Sequence, residues 1–126
     1  MKKFMTYKCS VCGNIISVEH VGGGQLVCCG KPMELLETNS IEAPKEKHIP
    51  VLSDLGNNRY KVVVGEIEHP MTSEHYIEWI KIFTEKGNRL TFFLNVGDKP
   101  EVTFSTDEKI VSVEIYCNLH GLWKNK

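Results

Sequence analysis

The sequence predicts an all-β protein in two parts: a small metal-stapled module over residues 1–37 and an antiparallel β-sandwich over residues 38–126. Three observations carry that expectation. Cys9, Cys12, Cys28 and Cys29, all but one of the cysteines, fall within the first 29 residues. From about residue 59 onward, short runs rich in β-branched and aromatic residues alternate with Gly, Asn and Pro turn signals. No segment sustains a helical apolar period, so little helix is expected.

The first 37 residues are too few to bury a core of their own. Segments shorter than about 40 residues usually need a metal, disulfides or a partner to fold, and the four cysteines supply such a staple. Residues 38–50 are polar, aperiodic and bracketed by Pro44 and Pro50, as a linker and functional loop would be. Residues 59–64 follow the turn-forming Gly56-Asn57-Asn58 and read as a strand. Further strands are expected over 75–83, closed by Gly87-Asn88, and over 90–94. Another follows the turn Gly97-Asp98-Lys99-Pro100 at 101–104, and the last spans 109–117. In that last run Val111, Val113, Ile115 and Cys117 share one face, with Ser112 and Glu114 on the other.

The chain has 126 residues, 41% hydrophobic and 25% charged, with a formal net charge of −1. That is the profile of a soluble globular chain, of a length that fits one ordinary domain or one modest domain plus a very small one. A nucleic-acid binder would be far more basic, so no nucleic-acid partner is expected. The basic start, Met1 to Lys8, has no apolar stretch of the signal-peptide kind, and no window offers the roughly 18 apolar residues that span a bilayer. A cytoplasmic location without membrane association is expected. In that reducing compartment cysteines serve as metal ligands or catalytic groups rather than disulfides, and five is an odd number.

Cys9-Ser10-Val11-Cys12-Gly13 is a C-x-x-C knuckle that places two thiolates on one tight turn. Fifteen residues later, Cys28-Cys29 forms a second pair. Four thiolates at this spacing suit a closed tetrahedral site for zinc or a single iron. Adjacent cysteines make an awkward bite, so a distorted tetrahedron is expected. A zinc staple without redox chemistry stays open on spacing alone.

Cys117-Asn118-Leu119-His120-Gly121 brings a thiolate and an imidazole out of one turn at a strand end. His48 lies in the Pro-bracketed loop, His69 precedes Pro70, and His75 stands at the start of a strand. Singly, each has a bland reading: His48 beside lysines as a surface loop residue, His75 as a strand-edge residue. His20 reads as a solvated loop histidine. Four imidazoles and one thiolate together leave one octahedral position open and suit iron or copper. A thiolate opposite an open position pushes electron density toward whatever binds there.

Four motifs thus stand in order along essentially the whole chain: Cys9-x-x-Cys12 with Cys28-Cys29; Glu46-Lys47-His48-Ile49-Pro50; His69-Pro70-Met71 followed by His75-Tyr76; and Cys117-Asn118-Leu119-His120-Gly121 before Trp123. This combination resembles the desulfoferrodoxins, the two-iron superoxide reductases. The resemblance implies a desulforedoxin-like module at 1–37, with a rubredoxin-type iron on Cys9, Cys12, Cys28 and Cys29. It implies an immunoglobulin-like sandwich at 38–126, in which 38–50 supplies the active-site loop. There a second, catalytic iron is held by equatorial His48, His69, His75 and His120 with Cys117 axial, making two irons per chain. The implied activity is one-electron reduction of superoxide to hydrogen peroxide, releasing no dioxygen and protecting against oxidative stress. Rubredoxin or a similar carrier is the implied donor, and a homodimer the implied assembly. Lys47, with weaker help from Lys45, would attract the superoxide anion, and Glu46 would occupy the sixth position after oxidation or relay protons.

Three other readings compete. A cupredoxin-like copper carrier also pairs a sandwich with a Cys and His near its last strand, but no Met follows His120 and two histidines would go unused. A zinc-stapled interaction module requires the four histidines to be coincidental. A Cys/His hydrolase lacks any motif for an orienting group or oxyanion hole.

Overall fold

The computed structural model of this protein describes residues 4–41 and 43–125. The chain divides into two compact units, residues 1–37 and 38–126.

The first unit contains five short strands: β1 (Thr6–Lys8), β2 (Ile15–Ser17), β3 (Val27–Cys28), β4 (Lys31–Pro32) and β5 (Glu34–Leu35). β1 is central in an antiparallel sheet of order β2-β1-β5, and β3 and β4 form a separate hairpin. Among its described residues only Thr6, Cys9 and Val18 are buried. So small a core cannot offset the entropy of ordering the chain, which is why this unit needs its cysteines.

The second unit holds one helical turn, α1 (Lys45–His48), and seven strands: β6 (Pro50–Gly56), β7 (Arg59–Val64), β8 (Ile77–Thr84), β9 (Arg89–Phe93), β10 (Glu101–Ser105), β11 (Ile110–Cys117) and β12 (Gly121–Lys124). They form two antiparallel sheets, of order β10-β7-β6 and β12-β11-β8-β9. Val62, Val64 and Phe104 of the first sheet pack with Ile77, Ile80, Ile82, Val113, Ile115, Cys117 and Trp123 of the second. The result is the all-β sandwich expected, with Cys117 at the end of its core.

β7 coincides with the predicted strand at 59–64. Its hairpin with β6 turns through Asn57 and Asn58, both at positive φ (54° and 63°), the backbone of a two-residue type I′ connection. In the second unit two strands escaped the sequence reading, as β1 to β5 of the first unit did. β6 is an edge strand whose Val51 and Leu55 are exposed, so it shows no apolar alternation. β12 has only four residues and starts at a glycine. The 38–50 segment, expected to be loop, contains α1. β8 begins at Ile77 rather than residue 75, leaving His75 in the preceding turn. Val111 is 63% exposed, because the pairing of β11 with β8 slips between Ile110 and Ser112. The bulge turns Val111 away from the core face that Val113, Ile115 and Cys117 keep.

Candidate metal centres

In the first unit, Cys9 ends the β1 segment and Cys12 closes the knuckle, where Gly13 N–H donates to the Cys9 carbonyl at 3.0 Å. Cys28 ends β3, and Cys29 with Gly30 makes the two-residue turn into β4, both at positive φ (53° and 73°). That left-handed turn swings the second thiol back beside the first. The four Sγ atoms all lie within 4.8 Å of one another, with Cys12 3.5 Å from Cys28 and Cys28 4.0 Å from Cys29. A tetrahedron with metal–sulfur arms of about 2.3 Å has edges of about 3.8 Å, so the cluster fits a metal directly. Backbone N–H groups of Cys12 and Val11 donate to Cys9 Sγ, both at 3.4 Å, and pull its thiol down to about 6. Sharing a hydrogen bond with Cys12 pushes Cys28 up to about 12. A metal replaces the protons that these sulfurs otherwise share.

The second centre draws its residues from four places in the sandwich. His48 is the last residue of α1, His69 and His75 lie in the connection from β7 to β8, Cys117 ends β11, and His120 precedes β12. His48, His69 and Cys117 are buried, while His75 and His120 are half-buried, so the group opens to solvent on their side. Ring centroids of His48 and His69, His69 and His75, His75 and His120, and His120 and His48 are 4.7, 4.6, 4.9 and 4.8 Å apart. The four imidazoles thus form a square, each near perpendicular to its neighbours, with the His48–His75 diagonal at 6.3 Å. Donor atoms of His48, His69, His75 and Cys117 lie within 4.8 Å of one another. His120 Nδ1 lies 3.0 Å from His48 Nε2 and 3.9 Å from Cys117 Sγ. The exposed His20 belongs to neither group.

The tautomers show what this square is built for. His48 Nδ1–H donates to the Pro44 carbonyl and His69 Nδ1–H to the Pro70 carbonyl, each at 2.7 Å. In a neutral ring each Nε2 then carries only a lone pair. Those two Nε2 atoms lie 3.1 Å apart, and the buried Nε2 of His75 has no hydrogen-bond partner. Facing lone pairs repel, and a cation between them converts that repulsion into coordination. Burial keeps the rings neutral: it lowers His48 and His75 and brings His69 down to about 4. Burial likewise raises the Cys117 thiol, against the opposing pull of the Leu119 and His120 backbone N–H groups. Imidazole and thiolate together suit iron.

Several supporting roles were invisible to motif spacing. Trp123 stacks on His48, centroids 4.9 Å apart, and its indole N–H donates to the His120 carbonyl at 3.0 Å. The Pro44 and Pro70 carbonyls are main-chain groups without a side-chain signature, although Pro44 stands four residues before His48, one helical turn away. Gly65, at φ +79°, lets α1 lie against the end of β7: a Cβ there would sit 2.6 Å from Glu46 O and from Lys47 C and O. Lys47 is half-buried, and its positive charge contributes to the lowering of both His48 and His75. Glu46 is exposed and borders an open cavity of about 590 Å³ beside β6, together with Lys45 and Glu66.

A β-sandwich unit with an imidazole square and thiolate, in one chain with a unit that carries a four-thiolate cluster, defines a protein of two iron centres. The family model described as desulfoferrodoxin matches residues 40–126, and that for the desulfoferrodoxin N-terminal domain matches residues 2–36. A desulfoferrodoxin homolog of Archaeoglobus fulgidus is 49% identical over 119 residues, covering 94% of each chain. The desulfoferrodoxin of Nitratidesulfovibrio vulgaris is 47% identical, covering 97% of this chain and 95% of its own. The crystal structure of the superoxide reductase from Treponema pallidum matches with a TM-score of 0.78 at 32% identity, covering 99% of this chain and 100% of that one. The chain belongs to the desulfoferrodoxin family.

Proposed function

We propose that this chain is a superoxide reductase, reducing superoxide to hydrogen peroxide and so protecting its cell against oxidative stress. The observation that carries this reading is the square of imidazoles whose lone pairs converge beside Cys117, with one face left half open. His48, His69, His75, His120 and Cys117 would hold the iron, which would supply the reducing electron. The remaining balance is O2•− + e− + 2 H+ → H2O2, and this chain's own residues bring the anion and the protons.

Superoxide meets a protein whose net charge is −1, so attraction has to be local. The Lys47 ammonium, whose field reaches His48 and His75, draws the anion to the open side and donates an N–H to the charge that grows there. The Glu46 carboxylate, exposed next to Lys47 in the same loop, passes protons in from solvent. In this reading residues 1–37 form the iron module and 38–126 the reductase domain, with 38–50 as its active-site loop. A rubredoxin-like carrier supplies electrons, the working form is a homodimer, and the location is cytoplasmic. No helix among the described residues is long and apolar enough to cross a membrane.

The test is to mix pre-reduced, iron-loaded protein with a pulse of superoxide. Reduction yields one peroxide per superoxide and no dioxygen. Evolution of dioxygen in an amount equal to the peroxide would mean dismutation and would overturn the assignment.

A further inference from the structure

We propose that Asn118 is the positioning residue for His75, holding that imidazole toward the square through the backbone groups on either side of it. The inference rests on His75 being a ligand of the proposed reductase centre. The four histidines are not anchored alike. His48 and His69 are fixed through their own rings by the Pro44 and Pro70 carbonyls, and His120 through its carbonyl by the Trp123 indole. The His75 ring makes no hydrogen bond among the described residues, and its Nε2 is buried without a partner. Its orientation therefore depends on its backbone.

That backbone belongs to a turn whose Thr72, Ser73 and Glu74 are exposed. Thr72 and His75 close the turn on itself, with main-chain bonds of 3.0 and 3.2 Å. At its flanks Gly97 N–H donates to the Met71 carbonyl at 2.9 Å and Ile77 N–H to Met71 Sδ at 3.4 Å. The attachment next to His75 itself comes from Asn118. Its Nδ2 donates to the Glu74 carbonyl at 3.0 Å, and its Oδ1 accepts the Tyr76 N–H at 2.9 Å. Its own N–H donates to the Tyr76 carbonyl at 3.2 Å. One amide thus grips both neighbours of His75. Asn118 also stands between Cys117 and His120, so it ties the segment that carries two ligands to the turn that presents a third. The task needs a donor and an acceptor on one planar group. Aspartate keeps the acceptor but faces the Glu74 carbonyl with a second oxygen, and leucine keeps neither.

The test compares iron-loaded wild type, Asn118→Asp and Asn118→Leu, with the four-cysteine iron as internal reference. Groups that orient metal ligands typically change metal affinity about 10–100-fold when removed. Release of the histidine-site iron to a chelator is expected to accelerate by about that factor in Asn118→Leu and by less in Asn118→Asp. The visible and paramagnetic signatures of that iron should change in both, while the four-cysteine iron is released at the wild-type rate. A purely structural asparagine would lower the unfolding midpoint with the histidine-site signature unmoved, and that result overturns the proposal. Should Asn118→Leu not fold, the near-isosteric Asn118→Asp decides between the same outcomes. His75→Ala provides the separate check: full iron retention there removes His75 as a ligand, a failure of the underlying reading rather than of the clamp alone.

Discussion

Replacing Gly65 by alanine is expected to unseat the segment that carries His48. Gly65 sits just past β7 at φ +79°, where an L residue costs about 1–2 kcal/mol. Its new methyl would stand 2.6 Å from Glu46 O and from Lys47 C and O, all main-chain atoms that cannot swing aside. Reaching ordinary contact at 3.4 Å requires α1 and β7 to part by about 0.8 Å. Two hydrogen bonds oppose that separation, Gly65 N–H to the Ile49 carbonyl at 3.0 Å and Ile67 N–H to the Glu46 carbonyl at 2.9 Å. Overpacking of this kind adds about 1–3 kcal/mol, for a total of about 2–5 kcal/mol. At about 4–8 °C per kcal/mol, the second unit should melt about 8–40 °C lower. His48 is bonded to Lys47 and moves with it, so the histidine-site iron should be lost preferentially while the four-cysteine iron stays. Thermal unfolding by circular dichroism and iron per chain measure both effects. A variant that melts within about 2 °C of wild type and keeps both irons would refute the reasoning. Gly65→Asn separates the two costs, because asparagine tolerates the left-handed backbone yet still carries the clashing Cβ.

Lys47→Ala removes a cation whose charge reaches His48 and His75, so the second-order rate with superoxide should fall and lose part of its ionic-strength dependence; stopped-flow traces unchanged on both counts would exclude that role. Cys117→Ser replaces the soft donor with a hydroxyl, and superoxide consumption should disappear while the four-cysteine spectrum persists; retained turnover would sink the assignment. Glu108 accepts hydrogen bonds from Asn88 Nδ2 at 2.9 Å and Thr84 Oγ1 at 2.8 Å, which hold its carboxyl below the usual 4.5. A depressed folded value means that its stabilisation is present above pH 4.5 and is lost as pH falls through the folded value. Glu108→Gln should therefore melt lower than wild type near neutrality and converge with it in acid, and a gap independent of pH would contradict this.

The linear sequence carries donor types, local spacing and local period. Those were enough for the C-x-x-C knuckle, the paired Cys28-Cys29, the Cys117-Asn118-Leu119-His120 turn and the β-rich run of β7. They were enough for an all-β chain with two sets of soft ligands, and the ordered motifs together carried the family resemblance. Tertiary structure decided what no local window contains. His48, just after Lys45 and Lys47, reads as solvated yet is 1% exposed, because β7 and Gly65 seat α1 against the sandwich. Val111 reads as core and is exposed, because a slip in pairing with β8 is a property of two strands, not one. β6 shows no alternation because an edge strand buries little, and only its partner β7 defines it. Which nitrogen of His48 and of His69 points inward depends on carbonyls at Pro44 and Pro70, and the clamp on His75 depends on an asparagine 43 positions later. Ligand identity is a matter of side-chain chemistry and can be read along a chain. Ligand orientation is a matter of which backbone groups the sheets bring within 3 Å of each other, and that exists only once the sandwich has closed.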